Sequence, residues 1–287
     1  MRGDVSRRPS RPLFGYASVV IGLALLLVAT VGPHLPIAGY ENRAARPWEA
    51  YDPELAREAR DVASLVRVAH ERLPGFEEAS AADRMQALYA TVAERFTHSN
   101  GARHTFASNW ILYLAGSVVR PFGLIHDPDV YVALGHSLVC SQSSYLLMQL
   151  ALAEGIPARH VGLYGHVVME AWYDGDWHLY DPDTEVSPRT ADGDVPSVEE
   201  LALDRPLLEA SYTGENAQYV DIIASRENNT YMSYPAGTRF EWKVHVLAQI
   251  ERVAQVLKYA LPLVLIGLGL RSLARSRRRT IASTANG

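Results

Sequence analysis

Cys140, His166 and Asp181 are the residues of this chain whose types and order permit thiol-based nucleophilic chemistry. A cysteine attacks as its thiolate, and the first turn of a helix favours that anion, because unpaired backbone N–H groups and the helix dipole meet it there. The thiolate needs an imidazole to stabilise it and to hand a proton to the leaving group, and the imidazole needs a carboxylate to fix its tautomer. Cys140 opens a predicted helix over 140–154, whose buried side is supplied by Leu146, Met148, Leu150 and Leu152 and which Gly155-Ile156-Pro157 ends. His166 opens the first strand of a predicted hairpin and Asp181 closes the second, with the Asp174-Gly175 turn near the middle of the 15 residues between them. Residues at one open end of a hairpin are neighbours, so this pair can meet. Cys140 is the single cysteine, so no intrachain disulfide and no Cys-based metal site is expected from this chain alone. A lone Cys is most often a small buried apolar group, so its neighbours decide.

Other residues compete for these roles. His136 lies just before the Cys helix and His178 falls mid-strand, where a hydrogen-bonded packing role is expected. A metal site from His136, His166, His178 and Asp181 lacks any tight ligand spacing of the His-Glu-x-x-His kind, and no metal is expected. Gln142 or Trp110 is a candidate to complete an oxyanion hole with the Cys140 N–H. Tyr164, Trp172 and Trp177 read as core or cleft wall, and Asn228-Asn229-Thr230 matches a glycosylation sequon. The thiol chemistry needs no cofactor, and no loop suited to calcium is recognisable.

The elements that must position these groups form an α+β order. Asp52-Pro53-Glu54 starts a helix that its apolar spacing carries toward Leu73, and Ser80 caps a second whose stripe is Met85, Leu88, Tyr89, Val92 and Phe96. Residues 109–118 are a third helical stretch. After the Cys helix come three short runs rich in Val, Tyr and Trp, at 159–164, 167–173 and 177–180, which read as antiparallel strands. Residues 197–203 form a further capped helix, and 240–258 a helix leading toward the C-terminal apolar segment.

Two apolar segments bracket this body. No charge interrupts residues 13–32, about the ~20 residues needed to cross a bilayer, and four Arg precede them. The run is longer than a signal-peptide core and lacks a small-x-small cleavage site, so it reads as an uncleaved anchor. Residues 253–270 reach spanning length only if Gln255 and Lys258 are tolerated, with Lys258 snorkelling toward the interface, and an amphipathic surface helix is the alternative. The five Arg that follow mark a cytoplasmic flank. Residues 1–12 carry +3 and residues 256–287 carry +6, leaving −14 for residues 13–255 against −5 for the whole chain. An acidic body disfavours nucleic acid, whose phosphates need clustered Lys and Arg.

Taken together, Val139-Cys140-Ser141-Gln142, the stretch 150–159 ending Glu154-Gly155-Ile156-Pro157-Ala158-Arg159, Gly165-His166-Val167-Val168-Met169-Glu170 and Trp177-His178-Leu179-Tyr180-Asp181-Pro182 resemble the core of the transglutaminase-like superfamily. The resemblance covers about residues 135–183. It implies a papain-like α+β fold, a Cys140-His166-Asp181 triad and acyl transfer through a thioester. Val168 stands where many members carry Trp, which weakens any implication of protein crosslinking but leaves the triad intact. The variant resembles bacterial envelope and exopolysaccharide members. The organisation expected is a cytoplasmic tail (1–12), a membrane helix (13–33), a linker (34–50), an extracytoplasmic catalytic domain (51–250), a second membrane helix (253–270) and a cytoplasmic tail (271–287). The expected partner besides the membrane is a peptide, protein or glycopeptide substrate. Rival readings are a catalytically silent binding domain and a scaffold of an envelope assembly.

Overall fold

In a computed structural model of the chain, the residues described are 11–35, 39–40, 42–163, 165–225, 230–233 and 239–284. The N-terminal Arg2, Arg7 and Arg8, the aromatic Tyr164 and the sequon residues Asn228 and Asn229 lie outside them. In chain order the helices are α1 (Arg11–Val31), α2 (Pro53–Glu58), α3 (Val62–Arg72), α4 (Ala81–Arg95), α5 (Phe106–Val118), α6 (Arg120–Gly123), α7 (Pro128–Leu134), α8 (Cys140–Ala153), α9 (Val198–Leu203), α10 (Arg205–Ser211), α11 (Tyr219–Ala224) and α12 (Arg239–Thr284). The strands are β1 (Thr97–His98), β2 (Ser137–Leu138), β3 (Ala158–Leu163), β4 (His166–Tyr173), β5 (Asp176–Tyr180) and β6 (Thr230–Ser233). The fold is α+β, mostly helical with small sheets.

The chain forms two compact units. One comprises residues 40–103 and 124–249; the other comprises 1–39, 104–123 and 250–287. The segment 104–123, which lies within the domain expected over 51–250, groups with the terminal segments.

In the first unit, four antiparallel strands lie in the order β5-β4-β3-β6. Alternation along the strands divides their side chains between two cores. Ala158, Met169, Ala171, Tyr173 and Tyr180 join the α3, α4 and α8 side chains in one core. Val161, Leu163, Val168 and Leu179 join Val198, Leu201, Leu208 and Ile223 in the other. Asp174 and Gly175 both take left-handed backbone (φ 52° and 90°), the conformation a two-residue hairpin turn requires, so the turn falls where expected. Gly155 likewise takes φ 72° beyond α8.

Two local expectations change. The single helix expected from Asp52 to Leu73 is broken, because Asp61 and Ser64 form a reciprocal capping box that starts α3 afresh. Within the expected linker, Tyr40 and Arg43 are docked. Tyr40 is buried with its hydroxyl on the Tyr131 carbonyl, and the Arg43 N–H donates to Ser137 Oγ at 2.8 Å. Arg95, 1% exposed, donates to the carbonyls of Ala59, Val132 and Gly135 at 2.7, 2.8 and 3.1 Å, tying the C-terminal ends of α2 and α7 to α4.

Two helical stretches are long and apolar enough to cross a membrane, Leu13–His34 and His245–Arg278, and all of their residues but 245–249 belong to the second unit. They pack through glycine. A side chain at Gly15 would meet Leu273 and the Gly269 carbonyl, and one at Gly22 would meet Ile266 and the Pro262 carbonyl at under 3 Å. Rising numbers on α1 match falling numbers on α12, so the two helices run antiparallel, with small residues permitting close backbone approach. Lys258 does not snorkel. It is buried, and its Nζ donates to the Ser108 carbonyl at 2.9 Å.

Candidate active site

Cys140 is the first residue of α8, where no intrahelical acceptor exists for its backbone N–H. Its position is fixed from both sides. On the N-terminal side, β1 and β2 pair in parallel, and the Ser99 N–H donates to the Leu138 carbonyl at 2.6 Å. One turn into the helix, Ser144 Oγ donates to the Val167 carbonyl at 3.0 Å, tying α8 to the strand residue beside His166. Cys140 itself is partly exposed.

His166 and Asp181 meet through the sheet. Met169 faces Tyr180 in the β4–β5 register, so one step further Asp181 falls opposite Val168, and His166 lies two residues along on the same face. Such diagonal neighbours are within reach of long side chains. His166 Nε2 lies 2.8 Å from Asp181 Oδ2, both residues buried. The carboxylate can only accept, so Nε2 carries a hydrogen, and in the neutral imidazole Nδ1 keeps its lone pair. Asp181 also accepts from the Tyr212 hydroxyl at 3.1 Å and from the N–H groups of Asp183 and Thr184 at 3.3 Å each. Burial works to depress the imidazole pKa, but the Asp181 charge and hydrogen bond, joined by Cys140, carry it well above the usual range. Burial likewise favours a neutral Asp181, yet His166, Thr184 and Tyr212 hold its carboxyl below the ordinary value. The Tyr219 ring leans on the imidazole with centroids 4.2 Å apart, and burial beside Asp183 pushes its hydroxyl up to about 12.

A second carboxylate completes the site. A carboxylate oxygen of Asp183, a ring nitrogen of His166 and Cys140 Sγ all lie within 4.8 Å of one another. Asp183 is 4% exposed and its Oδ2 is 2.7 Å from His98 Nδ1. Burial raises its pKa despite His98 and His166. The turn after β5, closed by a bridge between Asp181 and Val186 and containing Glu185 at φ 56°, bends Asp183 back to this place. Sequence reasoning missed Asp183, His98, Tyr212 and Tyr219. Asp183 sits two residues from Asp181, an alternation signal that was legible; nothing local marks His98, contributed from β1.

The supporting candidates are placed differently. Gln142 is buried, and its amide is consumed as a staple: Oε1 accepts from the Ala102 N–H at 2.8 Å, and Nε2 donates to the Ala102 and Ile125 carbonyls at 3.1 and 2.8 Å. Both amide hydrogens are used, leaving none for an oxyanion. Trp110 belongs to the other unit, where its indole N–H donates to the Lys258 carbonyl at 3.3 Å. His178 has a carbonyl against each ring nitrogen, Val195 at 2.6 Å and Tyr173 at 3.1 Å, and stacks on Tyr173. His136 contacts the Arg43 carbonyl and stacks on Tyr51. Glu170 pairs with Arg159 at 2.6 Å and accepts the Val198 N–H at 2.7 Å, capping α9.

Comparison with protein-family models, with curated proteins and with solved structures finds no match to this chain.

Proposed function

We propose that this chain is a membrane-tethered, transglutaminase-like thiol enzyme that cleaves or transfers acyl groups at an amide bond, on a papain-like core. Cys140 is the nucleophile, His166 the general base and acid, and Asp181 the residue that orients His166. The observation that carries the reading is one geometry: a cysteine at a helix N-terminus, its sulfur within 4.8 Å of an imidazole whose far nitrogen is held at 2.8 Å by a buried carboxylate.

The sequence of steps follows from these positions. Cys140 passes its proton to His166 Nδ1 and attacks the amide carbonyl carbon. The imidazolium returns the proton to the departing amine as the C–N bond breaks, leaving a thioester on Cys140. Water or an amine then attacks the thioester, with His166 taking its proton, and the thiolate leaves. The backbone N–H of Cys140 supports the oxyanion.

Charge and packing also support a location. The antiparallel pairing of α1 with α12 and the Arg-rich flanks support both termini lying in the cytoplasm, with the catalytic domain outside the cell membrane as part of an envelope or exopolysaccharide system.

The test is the pH dependence of Cys140 alkylation by a small thiol reagent, in the wild type and in His166→Ala. An apparent pKa well below the ordinary thiol value of about 8.5, moving upward in the variant, supports the reading. An ordinary thiol unchanged by the substitution overturns it in favour of a silent binding or scaffold domain.

A further inference from the structure

One carboxylate oxygen beside the triad has no use in it. Asp183 Oδ1 is inaccessible to solvent and without a hydrogen-bond partner among the described residues, in a residue 4% exposed, and the buried His166 has one ring nitrogen that Asp181 does not hold. Both residues belong to the group that also contains Cys140 Sγ. We propose that Cys140, His166 and Asp183 form a zinc site with one open coordination position, in which a bound ion masks the nucleophile.

The donor set selects the metal. Thiolate, imidazole and carboxylate together suit a borderline ion such as Zn2+ and disfavour Mg2+ and Ca2+, which take oxygen. In a tetrahedral zinc site these donor atoms stand about 3.3–3.6 Å apart, so atoms already within 4.8 Å need only a small contraction. Outer partners of the kind that orient zinc ligands are in place. Asp181 holds Nε2 of the imidazole at 2.8 Å, and His98 Nδ1 lies 2.7 Å from Asp183 Oδ2. Cys140, the partly exposed member, gives the entry path and leaves the fourth position to water. On binding, the thiol proton leaves to solvent and sulfur donates to the metal.

The site stands on geometry alone. That its occupancy switches off catalysis rests on the thiol-enzyme reading, because a metal-bound Cys140 sulfur and His166 Nδ1 are no longer available for attack and proton transfer.

The experiment uses the full chain in detergent micelles, stripped of metal and titrated with Co2+ as a spectroscopic stand-in for Zn2+. One equivalent should bind with a near-ultraviolet thiolate-to-cobalt band that Zn2+ then displaces. Cys140→Ala should abolish the band, and Asp183→Asn should weaken Co2+ affinity by about tenfold or more. His70→Ala, which alters the separate group of His70, Glu77 and Glu154, should leave the band intact. Zn2+ should also protect Cys140 of the wild type from alkylation. No band at saturating Co2+, or a band equally strong in Asp183→Asn and His166→Ala, overturns the site. Alkylation of the metal-free chain reads the catalytic proposal separately: a normal thiol with an intact cobalt band removes the enzyme and keeps the metal site, whereas an activated thiol with no band does the reverse.

Discussion

At the scale of single residues, the site is governed by how Asp181 is satisfied. Four donors converge on its carboxylate, His166 Nε2, Tyr212 Oη and the backbone N–H groups of Asp183 and Thr184, so its charge is retained although it is buried. Asp181→Asn should therefore lower the imidazole pKa and, on the proposed thiol-enzyme reading, reduce turnover by about 10⁴-fold, the scale seen when a triad carboxylate is neutralised; NMR titration of His166 and steady-state assay check the two halves. The pair also links stability to pH. His166 is raised in the folded state, so its contribution is complete below pH 6.5 and is lost as pH rises through the higher folded value. Asp181 is lowered, so its contribution is present above pH 3.8 and is lost as pH falls through the folded value. Wild-type thermal stability minus that of Asp181→Asn should accordingly be greatest between these limits and shrink on both sides. Tyr212→Phe removes one of the four donors and should cost about 0.5–1.5 kcal/mol, read by chemical denaturation, without loss of the Cys–His pair.

At the scale of elements, two polar side chains act as joints inside the helical layer. Arg95 donates to carbonyls at the ends of α2 and α7, and burial lowers its pKa to about 10. Arg95→Ala strands three buried acceptors, so a loss of about 3 kcal/mol or more is expected. For a unit of this size that is a fall in melting temperature of roughly 6–12 °C, measurable by scanning fluorimetry. Gln142 plays the same part near Cys140, joining α8 to Ala102 and Ile125. Its position two residues after Cys140 invited a catalytic assignment, but its hydrogen bonds explain it as the anchor of the loop that precedes α5.

At the scale of the whole molecule, the terminal helices and the segment 104–123 make one compact unit and the sheet-bearing body makes the other. Gly22→Leu places a side chain where Ile266 Cγ1 and the Pro262 carbonyl already stand, at 2.7 and 2.8 Å. Backbone cannot give way as a flexible side chain can, so the α1–α12 contact should open, detectable as reduced thermal stability and faster proteolysis between the helices. A reporter fused after Gly287 should be active only in the cytoplasm; activity outside would overturn the two-span arrangement.

The local sequence determined what depends on neighbours in the chain. Caps at Asp52 and Ser80, the Asp174-Gly175 turn, the Gly155 stop and the uninterrupted apolar run after Leu13 each act within a few residues, and each was legible. Hairpin alternation was equally local, and it brought His166 and Asp181 to one face. Tertiary structure alone decided the rest. His98 reaches Asp183 from β1, Tyr212 reaches Asp181 from just beyond α10, and residues 104–123 leave the body they interrupt in sequence. Periodicity reports which side of an element is apolar, but not which distant element covers it, and a buried hydrogen bond between residues 85 positions apart leaves no local pattern to read.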